Sequence, residues 1–398
     1  MESIYFPKSI NYNFKIPTGE YKARIGNLRE CMSENEIDLG IAYGTPSFSG
    51  DLLYLTGYEP QLENALVLVT QSDVIILGGP EGEGYAIQQI KAGDYHILIE
   101  LRLPDEDYPN TKFDKLGKII KGLIKHSKSK IALLTEPNVV PVGWDALIRS
   151  NLPSGTQIKN YPEILRQLRA CKSQIEFQAI GYAARISVEA MRSMLGLLRP
   201  GLRELELAAE ADYTMKKMGA ASLGWETLVL SGQRINTVVG RASNKIIQQG
   251  ELVLLGTSAR FSGYASTCGR TVVVGEPSKG QNIFLNHGAK AYEIAKECLE
   301  FGAPKRFVDL KARAYLRKHG LGEYQLYSVA HGTGITECLE GEPFTQSSSG
   351  TIPKNLAEMI DVGLFNHPEY CGARFEDEFV IDAKGEKHCL SDLEVRPQ

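Results

Sequence analysis

Gly250-Glu-Leu-Val-Leu-Leu-Gly-Thr-Ser-Ala-Arg-Phe-Ser-Gly-Tyr-Ala-Ser-Thr-Cys-Gly-Arg-Thr271 is the stretch whose reading decides the fold. Its apolar runs, Glu251–Leu255 and Gly263–Val274, read as strands, with Thr227–Leu230 as a shorter one before them. Helical patterns flank this block: Arg203–Met218 before it, Gln281–Phe301 and Val308–His319 after it. Glu358–Leu364 and Arg374–Ile381 close the chain as strands. Upstream, Glu163–Glu176 carries no Gly or Pro and reads as helix, running into a second helical stretch, Gln178–Leu198, which Pro200-Gly201 stops.

The first part of the chain alternates between periods. Tyr21–Asn35 is helical, with Ile25, Leu28 and Met32 on one stripe. Leu39–Tyr43 is a strand, and Ala65–Thr70 with Val74–Gly78 forms a hairpin around Gln71-Ser-Asp73. Lys115–His126 is an amphipathic helix and Lys130–Leu134 the next strand. Helices alternating with strands predict a layered α/β domain over residues 1–164, followed by a second, α+β domain over 165–398.

Composition bounds the partners. The 398 residues are 43% hydrophobic and 23% charged, with a formal net charge of −4, which gives no electrostatic footprint for nucleic acid or an acidic membrane. The seven cysteines are scattered and form no CxxC pair, which fits free thiols in a reducing compartment. No basic-then-apolar leader opens the chain and no apolar run is long enough to span a bilayer, so a cytoplasmic location is expected.

Chemistry concentrates in two further segments. Ala330-His-Gly-Thr-Gly-Ile-Thr-Glu-Cys-Leu-Glu340 sets His331 beside Gly332 and Gly334, where the backbone turns tightly or approaches something closely. A histidine there suits proton transfer; the plain alternative is a solvated surface loop. In Gly372-Ala-Arg-Phe-Glu-Asp-Glu378, a strand puts Arg374, Glu376 and Glu378 on one face and Phe375 and Asp377 on the other. A carboxylate inside a strand needs a partner, and Arg374 or His331 can supply one to Glu376. The plain alternative is a wet edge strand.

These segments, in this order, resemble the creatinase/aminopeptidase P/methionine aminopeptidase family with its pita-bread fold. Asp51-Leu-Leu-Tyr-Leu-Thr-Gly57, the helix Leu165–Glu176, Ser231-Gly-Gln-Arg234, Gly250-Glu251, Gly263-Tyr264, Arg270-Thr271, His331-Gly-Thr-Gly334 and Arg374-Phe-Glu-Asp377 carry the match. The resemblance implies a creatinase-like N-terminal α/β domain, a C-terminal pita-bread domain and a homodimer in which loop residues from Tyr43 to Gly57 reach the partner's cleft. The family's peptidases hold two metal ions with two Asp, one His and two Glu, which activate a water together. Matched to those positions, this chain has Gly256, Thr267, His331, a place on or near Leu364 beside Gly363, and Glu376. Asp361 substitutes only in a different strand register. The family's auxiliary histidines fall on Val239 and Cys338.

That broken set leads to an expectation of no metal, no cofactor and a small-molecule substrate, as in the metal-free branch that includes creatinase and ectoine hydrolase. The expected function is metal-independent hydrolysis of a C–N bond in a guanidino acid, cyclic amidine or related amide. An Xaa-Pro peptidase with a rearranged metal site and a catalytically inactive binding protein are the alternatives. His331, Glu376 and Glu337 are the candidate catalytic groups. Arg374, Arg234, Asn236, Tyr264, Asp361 and Cys338 are the candidate substrate contacts, although Arg374 can instead neutralise a neighbouring carboxylate, and Tyr264 and Cys338 can be packing residues.

Overall fold

Residues 4–124, 128–338 and 340–396 are described by a computed structural model. They form two compact units, residues 17–169 and residues 170–396 together with the chain before residue 17.

In the first unit the apolar strands are buried on both faces, and helices supply the cover. The sheet order is β4-β3-β2-β1-β5-β6. β1 (Leu39–Gly44), β2 (Ala65–Val69) and β3 (Val74–Gly78) pair antiparallel, and β4 (Asp94–Ile97), β5 (Lys130–Leu133) and β6 (Gln157–Asn160) join in parallel. The expected hairpin is β2–β3. The expected first helix is α1 (Thr18–Glu34), which buries Ile25, Leu28 and Met32 as its stripe predicts. Four short helices follow: α2 (Gly50–Thr56), α3 (Glu83–Gln89), α4 (Leu116–Leu123) and α5 (Val142–Ser150). The predicted helix to His126 ends at α4; Lys125 and His126 lie outside the described residues.

The helix expected over Glu163–Glu176 is broken. α6 (Pro162–Ala170) stops, and α7 (Gln174–Leu197) starts afresh with Ser173 as its cap. The Ser173 hydroxyl accepts from the Glu176 N–H, and the Glu176 carboxylate accepts from the Ser173 N–H. This reciprocal box satisfies two amide donors that a continuing helix would have bonded internally. The absence of Gly and Pro concealed a helix start.

The second unit is built on one sheet, β11-β12-β13-β10-β9-β7, with β14 on β13 and β8 on β9. The strands are β7 (Ser222–Leu223), β8 (Leu228–Ser231), β9 (Leu252–Phe261), β10 (Tyr264–Val273), β11 (Ala330–Gly332), β12 (Leu356–His367), β13 (Cys371–Ile381) and β14 (Lys387–Cys389). Helices α7 and α8 (Glu204–Lys217) pack with β9 and β10 around Met191, Leu207 and Val253. Helices α9 (Lys279–Cys298) and α10 (Arg306–Lys318) pack with the other strands around Leu285, Ala312 and Ile360. Both helix pairs bury apolar stripes against the sheet, which leaves part of its surface open to a cavity. No helix among the described residues is long and apolar enough to cross a membrane, and the cysteines are free.

Candidate active site

Register places the site. Gly256 on β9 lies opposite Gly269 on β10, Gly269 opposite Glu376 on β13, and Glu376 opposite Asp361 on β12. Directly opposed residues in antiparallel strands share a face, so these four positions form one row across the sheet. Glu376 and Asp361 put carboxylates into it; the two glycines put in nothing.

His331 joins this row from β11. It is a strand residue with a cavity behind it rather than a loop residue, and the close approach expected at Gly332 is present. A side chain at Gly332 would run into the Glu340 carbonyl oxygen, because the chain returns to pair Glu340 with Gly332. That return loop is tied by Glu340, which accepts from the Thr336 N–H at 2.8 Å and lies 3.7 Å from the Lys172 ammonium. It delivers Glu337 to within 4.0 Å of His331 Nε2, while Glu376 Oε1 lies 3.8 Å from the same nitrogen. Thr267 donates to Glu337 Oε1 at 3.2 Å.

The electrostatics are those of a crowded acid cluster. Burial pulls the His331 imidazole down, but Glu376, Glu337 and Asp361 outweigh it and raise it to about 10. Burial and the Asp361 charge push Glu376 up to about 7, against the opposing pull of His331 and Arg374. Glu376 is buried, and its Oε2 has no hydrogen-bond partner. Buried carboxylate oxygens are rarely left so.

The remaining expected residues divide. Asp361, Arg374 and Cys338 line the same cavity of about 580 Å³ as His331, Glu337 and Glu376. Arg374 is spoken for: its Nε lies 3.4 Å from Asp361, and it donates to the Tyr327 hydroxyl at 3.1 and 2.9 Å. It therefore neutralises Asp361 instead of waiting for a substrate carboxylate. Crowding of its sulfur and the Glu337 carboxylate push the Cys338 thiol up to about 12, which keeps it protonated and a poor nucleophile. Arg234, Asn236 and Tyr264 are not in the cavity lining. Arg234 is tied to the buried Glu204 at 2.9 Å, Asn236 accepts from the Asn366 N–H, and the buried Tyr264 donates to Glu176 at 2.8 Å. Their polar groups serve the scaffold.

Tyr327, Trp225 and Val238 are among the cavity residues that escaped the sequence reading. Tyr327 bridges Arg374 and Asp361, and it fits because Gly363 has no side chain to meet its hydroxyl. Trp225 stands over Gly256. Val238 sits at φ 62°, ψ −62°, with the Val239 N–H bonded to the Thr237 carbonyl at 2.7 Å. That is a tight three-residue turn, a strained state for a β-branched residue. Tyr327 and Trp225 carried no spacing signal, and a strained backbone has none in the residue letters.

Asp361, rather than the position expected on or near Leu364, stands in the cavity row. Leu364 pairs with Ala373 and is buried in the core, whereas Asp361 pairs with Glu376 in the cavity row. His331, Asp361 and Glu376 can each offer one ligand atom within 4.8 Å of the others. Three such N and O donors with an open side match what a single catalytic divalent ion requires, and the orphan Glu376 Oε2 is an acceptor still without a partner. These residues fit one ion. The premise behind the no-metal expectation therefore fails.

A pita-bread sheet with a His–Asp–Glu cluster at the family's ligand positions defines the class as that of the metallohydrolases built on this fold. Residues 178–383 match the model of metallopeptidase family M24 and residues 24–171 that of the creatinase/prolidase N-terminal domain, so the chain belongs to the M24 family. A Xaa-Pro dipeptidase of Pyrococcus furiosus is 30% identical over 92% of this chain and 97% of its own length. A Xaa-Pro dipeptidase of Pyrococcus horikoshii is 26% identical over 92% and 95%. The crystal structure of the prolidase from Pyrococcus horikoshii superposes with a TM-score of 0.80 over 94% of this chain and 99% of its own, at 24% identity. The expected fold and the hydrolase class stand. The metal-independent, creatinase-like reading is overturned: the family is one of metallopeptidases, and these relatives carry Xaa-Pro dipeptidase names.

Proposed function

We propose that this protein hydrolyses the peptide bond of small Xaa-Pro dipeptides with a divalent ion held by His331, Asp361 and Glu376. The observation that carries the reading is the convergence of those three side chains on one buried row, with ligand atoms within 4.8 Å of one another. The names of the M24 relatives support the substrate class. When bound, an ion in such a site polarises a scissile carbonyl and makes hydroxide available near neutral pH.

The protein's own groups do the rest. Arg374 and Tyr327 fix Asp361 in place. Glu337, steadied by Thr267, faces His331 and is the carboxylate positioned to take a proton from an attacking water and return it to the departing amine. Trp225, Leu228 and Val238 give the cavity an apolar flank that excludes water and suits a pyrrolidine ring. A homodimer is part of the proposal, and light scattering at micromolar concentration tests it.

Protein stripped with a chelator and then supplied with Mn²⁺, Co²⁺ or Zn²⁺ is expected to release free proline from a panel of Xaa-Pro dipeptides, with no release before the ion is added. Release that persists without any ion, or none with every ion, overturns the reading.

A further inference from the structure

We infer that the site takes one divalent ion per chain, and that Trp225 seals the place where the family's second ion would sit. The inference rests on the proposed metallohydrolase reading and sharpens it. In the family resemblance, two ions need two Asp, one His and two Glu; here the row runs from ligands to bare backbone. At its β12–β13 end stand Asp361 and Glu376, with His331 beside them. At its β9–β10 end stand Gly256 and Gly269, and the next opposed pair, Ser258 and Thr267, offers only hydroxyls.

The bare end is filled. A Cβ placed on Gly256 would lie 2.7 Å from Trp225 Cη2 and 3.4 Å from Leu228 Cβ, so the indole occupies the space into which a carboxylate at 256 would project. A Cβ on Gly269 would lie 2.9 Å from both Glu376 Cβ and Glu376 Oε2, so the Glu376 side chain covers that position. The Thr267 hydroxyl is engaged with Ser258 at 3.0 Å and Glu337 at 3.2 Å. No side-chain carboxylate reaches in from β9 or β10.

Charge gives the same count. Glu226, Glu337, Asp361 and Glu376 line the cavity together with Arg241, paired with Glu226, and Arg374, 3.4 Å from Asp361. With His331 neutral as a ligand, four carboxylates against two guanidiniums leave two negative charges, which one divalent ion balances. A second ion would leave two positive charges uncompensated in a buried site, a costly arrangement.

The test is stoichiometry, read without substrate. Chelator-stripped protein is titrated with Mn²⁺, Co²⁺ and Zn²⁺ by calorimetry, and the retained metal is counted by elemental analysis after desalting. One equivalent is expected. Asp361→Asn and His331→Ala are each expected to weaken it by more than about 100-fold, beyond the 10–100-fold that loss of a ligand's hydrogen-bond partner costs. Two equivalents in the native protein overturn the inference while leaving the metallohydrolase reading in place. No ion bound at micromolar concentration overturns both, and one ion bound with undiminished affinity in both variants overturns the assignment of its ligands. The gain-of-site variant Trp225→Ala/Gly256→Asp/Thr267→Asp is expected to take up a second equivalent. If it folds, as judged by circular dichroism, and still binds only one, the sealing role of Trp225 is wrong.

Discussion

Asp377 and Glu376 are neighbours on β13, each 2% exposed, and their charges are met in opposite ways. Asp377 faces the helix layer. Arg270 donates to both its oxygens at 2.8 and 2.9 Å, and the Tyr292 hydroxyl adds a bond at 2.7 Å. The rest of the Arg270 fork is used on the carbonyls of Gly269, Glu376 and Glu394. Glu376 faces the cavity, and one of its oxygens has no partner. Asp377, with every bond made, is scaffold; the open oxygen of Glu376, facing the cavity, is free to meet a ligand.

The sharpest way to break this contrast is to remove Arg270. Arg270→Met strands Asp377 in the core, and breaking a buried pair from one side costs about 3–5 kcal/mol. Urea denaturation should show that loss. A loss below about 1 kcal/mol would mean the pair is not what holds β10 to β13. Glu376→Gln should do the reverse. It removes a proposed ion ligand, and hydrolysis of an Xaa-Pro dipeptide should fall by about 10²–10³-fold, the scale for losing one electrostatic contact to a transition state. Its thermal midpoint should stay close to that of the native protein, because the exchanged oxygen had no bond to lose.

How far the sequence revealed this contrast depends on strand period. The alternation of Arg374, Glu376 and Glu378 against Phe375 and Asp377 was readable, and so was the closeness of His331 to Glu376. The partner on β12 was not. Leu364 and Asp361 are three positions apart, and an odd shift in a strand exchanges one face for the other. The expected position therefore fell into the core, and Asp361 stood on the cavity side. Arg374 was legible as a cation near carboxylates, but its choice of Asp361 depends on Tyr327, which depends in turn on the space at Gly363. Tyr264 looked functional because it is polar and lies inside a matched block, and Asn236 because it is polar and follows one. Coordinates were needed to show that their bonds go to Glu176 and Asn366.

Glu358 and Glu378 extend the comparison to carboxylates that are short of partners on all four oxygens. Burial raises Glu358 to about 8, with His331, Lys172 and Lys305 pulling the other way. Its folded form thus keeps a proton that the unfolded chain releases near the ordinary carboxylate value of about 4.3. Stability contributed by the neutral group is complete below that value, is lost as pH rises through the window, and levels off above about 8. Glu358→Leu removes the penalty. It should stabilise the protein by about 2 kcal/mol at pH 8.5, the scale for an unsatisfied buried polar group, and by clearly less at pH 5. Denaturation curves at both pH values decide it, since an equal gain at each would mean the carboxyl does not titrate in the fold.

The smallest expected effect separates scaffold from site most cleanly. Glu176 is a buried carboxylate of the satisfied kind, accepting from the Ser173 N–H at 2.8 Å and from the Tyr264 hydroxyl at 2.8 Å. Tyr264→Phe deletes one bond to a charged acceptor and should cost about 1.5 kcal/mol of stability. Tyr264 does not line the cavity, so KM and kcat for an Xaa-Pro dipeptide should not move. A rise in KM with unchanged stability would return Tyr264 to the substrate. It would also mean that a carboxylate with its bonds made can still belong to the site, and the contrast drawn between Asp377 and Glu376 would lose its force.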